Sequence, residues 1–210
     1  MNKRSEATKQ TILIAAGNLF SQKGYDAVTM REIAKEAGCS HTTIYLYFQD
    51  KVTLLHQLSM PVLQNFYQKL QDISHQQNPP LEKLTEMSRE YIYFGLHNKN
   101  MYSIFINARS TRVDEEKPEL EINKLRNEIF SLLMNAIQEC LNIQETARLL
   151  AYTRIYYYSL NGVLTTYSYM HESVETIMER LTPTFDLMVE TLIAGFTAKI
   201  NEAGREDESN

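Results

Sequence analysis

Two helix-start signals stand eleven residues apart near the beginning of this sequence, and they constrain the fold more than any other feature. Thr29 is followed by Glu32 at the spacing of a capping box, and Ser40 is a second favourable N-cap residue. Gly38 lies just before Ser40 and permits a tight turn. The pattern predicts two short helices joined by a turn, and helices of this length are stable only when they pack on a neighbour.

Such neighbours are predicted on both sides of the pair. On the N-terminal side, apolar residues from Ile12 to Phe20 recur on one face of a helix, and Gly24 suits the left-handed position after that helix ends. On the C-terminal side, Asp50 is the N-cap of a long helix that contains Pro61, a residue that bends or divides a helix. The two short helices are therefore expected to pack between longer ones.

The arrangement predicts a three-helix helix-turn-helix unit at the N-terminus. In such a unit the second helix of the motif enters the major groove of DNA, where its early residues reach the base edges. Those residues are His41, Thr42 and Thr43. The charge distribution agrees with this prediction. Residues 1–51 carry seven Lys/Arg and five Asp/Glu, a net charge of +2, whereas the remainder carries 14 and 21, a net charge of −7.

Composition excludes several other classes of protein. The chain has 7 Gly and 5 Pro among 210 residues, too few for a β-rich chain with many tight turns, so an all-α fold is predicted. No apolar run is long enough to span a membrane, and a cytoplasmic protein is expected. Cys39 and Cys140 are far apart and the five histidines are isolated, so no disulfide, metal or cofactor is predicted. The sequence offers no nucleophile–base pair, and hence no catalytic residue is predicted.

The rest of the chain is predicted to be a helical body. Helices are expected over 81–98, 100–108, 118–141, 142–170 and 173–199. A capping box between Asn142 and Glu145 is expected to start the fourth of these, and Pro183 is expected to interrupt the last. The predicted domains are a DNA-binding domain over 1–51, a ligand-binding and dimerisation domain over 52–202, and a flexible tail over 203–210.

Three stretches of the N-terminal region follow one another with fixed spacing over residues 8–55. They are Thr11-Ile-Leu-x-Ala-Ala-x-x-Leu-Phe-x-x-x-Gly-Tyr, Thr29-x-x-x-Ile-Ala-x-x-Ala-Gly-x-Ser and Ile44-Tyr-x-Tyr-Phe-x-x-Lys-x-x-Leu. This pattern resembles the TetR (tetracycline-repressor-like) family of bacterial regulators. The resemblance implies a homodimer with two DNA-binding heads, a ligand-binding body, and repression that is relieved when a small molecule binds.

The motif and the resemblance together designate the residues expected to bind DNA. They are Thr29, Arg31, Ser40, His41, Thr42, Thr43, Tyr45, Tyr47 and Lys51. Tyrosine hydroxyls and a lysine at a helix start are chemically suited to the phosphate backbone. Thr42 stands where the family usually has Gly, so this chain carries an additional side chain in the helix that is expected to read the bases.

The body is rich in tyrosine, whose apolar ring and hydroxyl suit the wall of a small-molecule pocket. The predicted effector site consists of Tyr91, Phe94, Tyr102, Phe105, Arg154, Tyr157, Tyr158 and Asn161. For each single tyrosine, plain core packing is the alternative. The surroundings of Gly95 and Gly162 are similar to one C-terminal subgroup of the family, named for a Trp-His-Gly pattern, of which only the Gly is kept here.

Small residues on the last two helices predict a close helix–helix contact in a dimer. The residues concerned are Gly162, Thr191, Ala194, Gly195 and Ala198, and packing within one chain would use the same residues. The predicted function is a repressor that binds palindromic double-stranded operator DNA as a homodimer and is released by a small lipophilic or aromatic effector. The alternative is a DNA-binding adaptor whose body binds a protein partner.

Overall fold

The computed structural model describes residues 3–99, 121–167 and 171–207, and all regular structure within them is helical, as predicted. The helices are α1 (Lys3–Lys23), α2 (Met30–Glu36), α3 (His41–Tyr47), α4 (Lys51–Ser74), α5 (Pro80–His97), α6 (Glu121–Leu141), α7 (Thr146–Tyr167) and α8 (Val174–Asp207). The predicted helix over 100–108 lies outside the described residues. In the described part of the chain, no helix is long and apolar enough to cross a membrane.

The helices form two compact units, whose described parts are residues 3–65 and residues 66–99 with 121–207. The boundary between these two units lies inside α4, and the predicted domains over 1–51 and 52–202 stay a prediction. It lies inside the helix because the first turns of α4 pack on α1. A Cβ built on Gly17 of α1 would lie 3.8 Å from a methyl carbon of Leu58, which is ordinary van der Waals contact.

The core of the N-terminal unit is built from the predicted apolar face of α1 together with α2 and α3. Buried side chains of these three helices and their connections include Ile12, Ala16, Val28, Ile33, Ala34, Ile44 and Phe48. Gly24 adopts a positive φ of 80° after the end of α1, as predicted, and its N–H donates to the Phe20 carbonyl at 3.0 Å. The chain then folds back, so that the rings of Tyr25 and Phe20 lie 5.3 Å apart. This reversal brings α2 against α1.

In the body, α5 packs against α6, α7 and α8. Its contact with α7 is close because Gly95 carries no side chain: a Cβ built there would lie 2.5 Å from Cδ1 of Leu164, which is fully buried. A buried hydrogen bond between the hydroxyls of Ser88 and Tyr156 joins the same two helices. The Ser88 hydroxyl also bonds to the Leu84 carbonyl at 2.7 Å. The two helices are therefore held at a fixed register.

The predicted capping box at Asn142 is wrong. Asn142 adopts a positive φ of 48° at the end of α6, and its N–H donates to the Gln138 carbonyl at 2.8 Å. Asparagine tolerates the left-handed conformation better than most residues, so it can end a helix as well as start one. The next helix begins at Thr146, and the Glu145 carbonyl accepts the N–H of Leu149 at 3.0 Å.

The predicted interruption at Pro183 is also wrong, because α8 runs without a break from Val174 to Asp207. Proline removes one hydrogen bond from the helix. Here a stripe of buried residues continues across it, with Ile177 on one side and Phe185 and Val189 on the other. Packing along this stripe outweighs the missing bond. The helix extends to Asp207 and so includes most of 203–210, which we predicted to be a flexible tail.

Candidate DNA-binding surface and effector site

The start of α2 is fixed by the predicted capping box. The Thr29 N–H donates to a Glu32 carboxylate oxygen at 2.9 Å, and the Glu32 N–H donates to the Thr29 hydroxyl oxygen at 3.3 Å. Lys23 at the end of α1 donates to the same carboxylate at 3.2 Å. The bonds from the Thr29 backbone and hydroxyl, and then that from Lys23, lower the pKa of Glu32 to about 2. The α2 start is therefore tied to the end of α1.

The turn between α2 and α3 is a Schellman motif, the left-handed helix ending that glycine favours. Gly38 has a φ of 65° and its N–H donates to the Lys35 carbonyl at 3.2 Å. The Cys39 N–H donates to the Ala34 carbonyl at 2.9 Å. Ser40 then caps α3 by accepting the Thr43 N–H at 3.0 Å. These contacts hold the two helices of the motif at a defined angle.

The α3 helix buries one face and exposes the other. Ile44 and, just after the helix, Phe48 are fully buried, whereas His41, Thr42, Tyr45 and Leu46 are exposed. The rings of His41 and Tyr45 lie 5.1 Å apart, edge to face. Of the predicted DNA-binding residues on this helix, Thr43 and Tyr47 are half-buried. The predicted recognition helix thus presents a largely uncharged surface to solvent.

An open groove of about 430 Å³ lies between α2 and α3. It brings together three of the predicted DNA-binding residues, Thr29, Arg31 and His41. Lys35 also lines it, so two exposed basic side chains flank the recognition helix. A groove of this kind with basic edges is complementary to the charge of a nucleic-acid backbone.

Lys51, which we predicted to bind DNA, has partners inside the N-terminal unit. Its ammonium donates to the carbonyl oxygens of Tyr25 and Val28, both at 2.8 Å, and lies over the Tyr25 ring. These carbonyls belong to the segment that joins α1 to α2. Lys51 therefore holds that segment against the start of α4.

Three of the predicted effector-site residues form one cluster on α5 and α7. The Tyr91 hydroxyl donates to the Asn161 side-chain oxygen at 3.4 Å, and the Asn161 amide nitrogen donates to the Tyr157 carbonyl at 2.6 Å. The rings of Tyr91 and Tyr157 lie 6.2 Å apart, edge to face. Both tyrosines are buried, and Asn161 is half-buried. The body therefore contains a polar cluster within an aromatic core.

The other predicted effector residues are spread more widely. Phe94 is buried and stacks on Phe66 of α4, with ring centroids 4.1 Å apart. Tyr158 is 61% exposed and Arg154 is half-buried, because successive helical residues point about 100° apart and the buried position is taken by Tyr157. Tyr102 and Phe105 lie outside the described residues. The predicted effector residues on α7 are thus divided between core and surface.

Comparison with known proteins identifies the N-terminal unit. Residues 12–58 match the profile of the family described as "Bacterial regulatory proteins, tetR family". The matched range includes α2, the turn, α3 and the start of α4. The N-terminal unit is therefore similar to the DNA-binding part of TetR-family proteins. The proteins that this profile describes are regulatory proteins, in agreement with the prediction of a regulator that is not an enzyme.

Individual TetR-type proteins are similar over longer ranges. An HTH-type transcriptional regulator of Haemophilus influenzae is 31% identical over 94 residues, which are 45% of this chain and 50% of that protein. A Bacillus subtilis "Fatty acid metabolism regulator protein" is 25% identical over 126 residues, 60% of this chain and 62% of that protein. The chain thus spans less than two thirds of these relatives.

A solved structure extends the likeness of the fold to the body. The crystal structure of a TetR/AcrR-family regulator from Thermobifida fusca superposes with a TM-score of 0.62 at 20% sequence identity. The match covers 88% of this chain and 97% of that chain. The helical body is therefore arranged as in a TetR-type regulator.

Two buried polar residues of the body were missed by the sequence analysis. Asn123 and Arg126 lie on α6, each 2% exposed. Burial raises the pKa of the Tyr157 hydroxyl, while its hydrogen bond with Tyr91 and the positive charge of Arg126 oppose that rise. The burial of Arg126 could have been predicted from the sequence, because Arg126 stands between Leu125 and Ile129 in the apolar pattern of its helix.

All five residues predicted at the dimer contact are exposed in the single chain, namely Gly162, Thr191, Ala194, Gly195 and Ala198. No atom of the described residues lies within 4 Å of a Cβ built on Gly162 or on Gly195. Packing between the described residues leaves these positions exposed, so their role in a dimer stays a prediction. Among the described residues, no group of three His, Cys, Asp or Glu side chains could hold a metal ion.

Proposed function

We propose that this chain is a ligand-responsive transcriptional regulator that binds an inverted-repeat operator as a homodimer, most simply as a repressor. The observation that carries the proposal is the α2–turn–α3 unit. Its helix caps and its turn are formed, its polar residues face outward, and it lies within residues 12–58, which match the TetR-type profile. A helix-turn-helix unit reads DNA by placing its second helix in the major groove. Two such heads on a symmetric dimer require a palindromic site.

The DNA contacts divide into positioning and reading roles. Arg31, Thr29 and the tyrosine hydroxyls of Tyr45 and Tyr47 are proposed to bind phosphates, because hydroxyl and guanidinium groups are donors to phosphate oxygens. His41, Thr42 and Thr43 at the start of α3 are proposed to approach the base edges. Ser40 contributes through its cap, which orients α3.

The proposed dimer seam is formed by the exposed faces of α7 and α8. On α8, Leu187 is 60% exposed and begins a face that continues through Thr191, Ala194, Gly195 and Ala198. On α7, Ile155, Tyr158 and Gly162 occupy one face, and the first two are 46% and 61% exposed. Large apolar side chains beside small ones are suited to a packed bundle of four helices, two from each subunit.

The proposed effector is a mostly apolar small molecule with one or two hydrogen-bonding groups. The support is the cluster of Tyr91, Tyr157 and Asn161 inside the aromatic core, where buried polar groups are few and specific. The Bacillus relative is named a fatty acid metabolism regulator, so long-chain fatty acids belong in the test panel. Binding in this cluster would lower the affinity for the operator.

The DNA-binding part is tested by selecting binding sites from a random duplex library with the full chain. The expected result is an inverted repeat whose half-site centres lie one helical turn, or a multiple of it, apart. Affinity for the selected site should exceed that for a scrambled duplex by about 10³-fold or more. Equal affinity for the selected and scrambled duplexes would contradict the proposal.

The effector part is tested by thermal denaturation of the full chain with a panel of lipophilic compounds and fatty acids. A compound that binds the folded state at 100 times its Kd should stabilise it by about 2.7 kcal/mol. A compound that stabilises the chain should bind more weakly when operator DNA is present, by the factor by which it weakens DNA binding. An adaptor that binds a protein would gain no stability from any compound.

A further inference from the structure

Leu46 is the most exposed large apolar side chain in the described part of the chain, at 79%. It lies on α3, the helix proposed to enter the major groove, one residue before the end of that helix. Isolated apolar residues on a protein surface are common and need no explanation by themselves. Leu46 differs from the other exposed aliphatic residues because it lies on the helix that is proposed to contact DNA.

The burial pattern defines which way α3 faces. Ile44 and Phe48, both fully buried, mark the inward side. Successive residues of an α-helix are separated by about 100°, so the positions opposite to these two are Thr42 and Leu46. Both are exposed, and they are four residues apart, one above the other on the same face. They form the centre of the outward surface.

The neighbouring side chains also make contacts within the N-terminal unit. The Thr43 hydroxyl lies 2.7 Å from the Ser40 hydroxyl, within the cap of the helix, and Thr43 is half-buried. The ring of His41 contacts that of Tyr45. The central pair therefore offers one methyl group with a hydroxyl, from Thr42, and one branched aliphatic side chain, from Leu46. Neither is charged.

We propose that Leu46 contacts the C5-methyl group of a thymine in the major groove, and that the methyl of Thr42 extends the same apolar contact. This inference rests on the proposed function and names the base that the head reads. The thymine methyl is the one apolar group that a base pair presents in the major groove, and threonine methyls and other apolar side chains are its usual contacts. Arg31 and Lys35 beside α3 supply the attraction to the phosphates of the same duplex.

The test replaces thymidine by deoxyuridine, which removes only the methyl group, at each thymine of the selected operator in turn. For the wild type, replacement at one or two positions of each half-site should lower the affinity about threefold to fivefold per methyl group. For Leu46→Ala, the same replacements should lower the affinity clearly less than in the wild type, because only the Thr42 methyl is left to contact the thymine. Alanine is a better helix former than leucine, and Leu46 packs on little, so the variant should fold normally.

The matched control is Ile14→Ala, which removes another exposed aliphatic side chain, 64% exposed, from α1 of the same unit. It should keep the affinity and the deoxyuridine profile of the wild type. A selection that enriches no sequence would overturn the proposed function together with the contact. An enriched site with the same deoxyuridine profile for the wild type and Leu46→Ala would overturn the thymine contact alone.

Discussion

The Lys51 ammonium lies 4.2 Å from the centroid of the Tyr25 ring and donates a 2.8 Å hydrogen bond to the carbonyl oxygen of the same residue. A second bond of 2.8 Å goes to the Val28 carbonyl. Two of the three N–H donors of this lysine are thus used inside the N-terminal unit. The ammonium therefore holds the segment between α1 and α2 in place. Because this segment leads into α2, we expect it to affect how α2 and α3 are positioned.

Lys51→Met tests this positioning role, because methionine keeps an unbranched side chain and removes the donors. The free energy of unfolding should fall by about 1–3 kcal/mol, since two carbonyls lose a charged hydrogen-bond partner. Urea denaturation of the full chain measures the change. An unchanged unfolding free energy would show that the bonds contribute nothing to the fold.

The salt dependence of operator binding separates positioning from phosphate binding. Each phosphate that a basic side chain neutralises contributes about 0.9 to the slope of log affinity against log salt on duplex DNA. Lys51→Met should weaken binding with little change in this slope, whereas Arg31→Met should lower the slope by about 0.9 for each phosphate that the guanidinium binds in the wild type. If the Lys51 variant lowered the slope as much as the Arg31 variant, the ammonium would be a phosphate ligand in the complex.

Glu32 gives the N-terminal unit a predictable response to acid. Its pKa in the folded chain is about 2, below the ordinary value of 4.5, because Thr29 and Lys23 bond to the ionised carboxylate. The carboxylate therefore stabilises the fold at neutral pH, and this contribution is lost as the pH falls from about 4.5 toward 2. Glu32→Gln should be less stable than the wild type at pH 7, and the difference should vanish near pH 2.

The measurement is the unfolding free energy at a series of pH values. Glu36→Gln is the matched control, because Glu36 is an exposed carboxylate on the same helix. That variant should keep the acid dependence of the wild type between pH 4.5 and 2. Parallel curves for the wild type and Glu32→Gln over this interval would contradict the role of the capping box.

The buried hydrogen bond between Ser88 and Tyr156 predicts that removing one partner destabilises the fold more than removing the other. Ser88→Ala leaves the tyrosine hydroxyl buried without that partner and should cost about 1–3 kcal/mol. Tyr156→Phe removes the hydroxyl itself, while Ser88 keeps its bond to the Leu84 carbonyl, so the cost should be only about 0.5–1.5 kcal/mol. Thermal or urea denaturation would show the order, and the reverse order would mean that the tyrosine hydroxyl is satisfied by another group.

Gly195→Leu tests the proposed dimer seam. The site is open in the single chain, so the added side chain should not disturb the folded subunit, but it should overfill a packed contact by about 1–3 kcal/mol. Size-exclusion chromatography with light scattering should then report monomers, and operator affinity should fall.

Gly204→Leu is the control for that variant. Gly204 is exposed on the same helix, with nothing within 4 Å of a Cβ built on it. It lies nine residues beyond Gly195, about two and a half turns, and hence on the opposite face. The control should remain a dimer. Dimers of unchanged stability for both variants would place the subunit contact elsewhere.

The N-terminal unit could be predicted closely from the sequence because its signals are local. The Thr29–Glu32 box, the turn at Gly38 and the Ser40 cap each join residues within five positions of one another. The partners of Lys51 are 23 and 26 residues away, and only the folded chain brings them together. Local sequence patterns therefore predicted the position of α3. They did not predict that Lys51 binds the segment between α1 and α2.

In the body, some single residues are compatible with more than one local structure, so their sequence pattern alone does not predict it. Asn142 suits a helix start and a helix end, and Pro183 breaks a helix unless packing continues on both sides of it. The division of Tyr157 and Tyr158 between core and surface depends on how α7 is rotated against its neighbours. That rotation is set by packing with α5 and α6, which a helical pattern alone does not reveal.

Because Gly95 has no side chain, we expect the residues at positions 95 and 164 to depend on each other during evolution. Because a Cβ at position 95 would meet the methyl groups of the buried Leu164, alanine at position 95 requires that side chain to shift or to be replaced by a smaller one. The order of substitutions along a lineage is thereby restricted, and the two changes are epistatic. Residue volumes at 95 and 164 should vary in opposite directions among descendants of a common ancestor that keep this helix crossing.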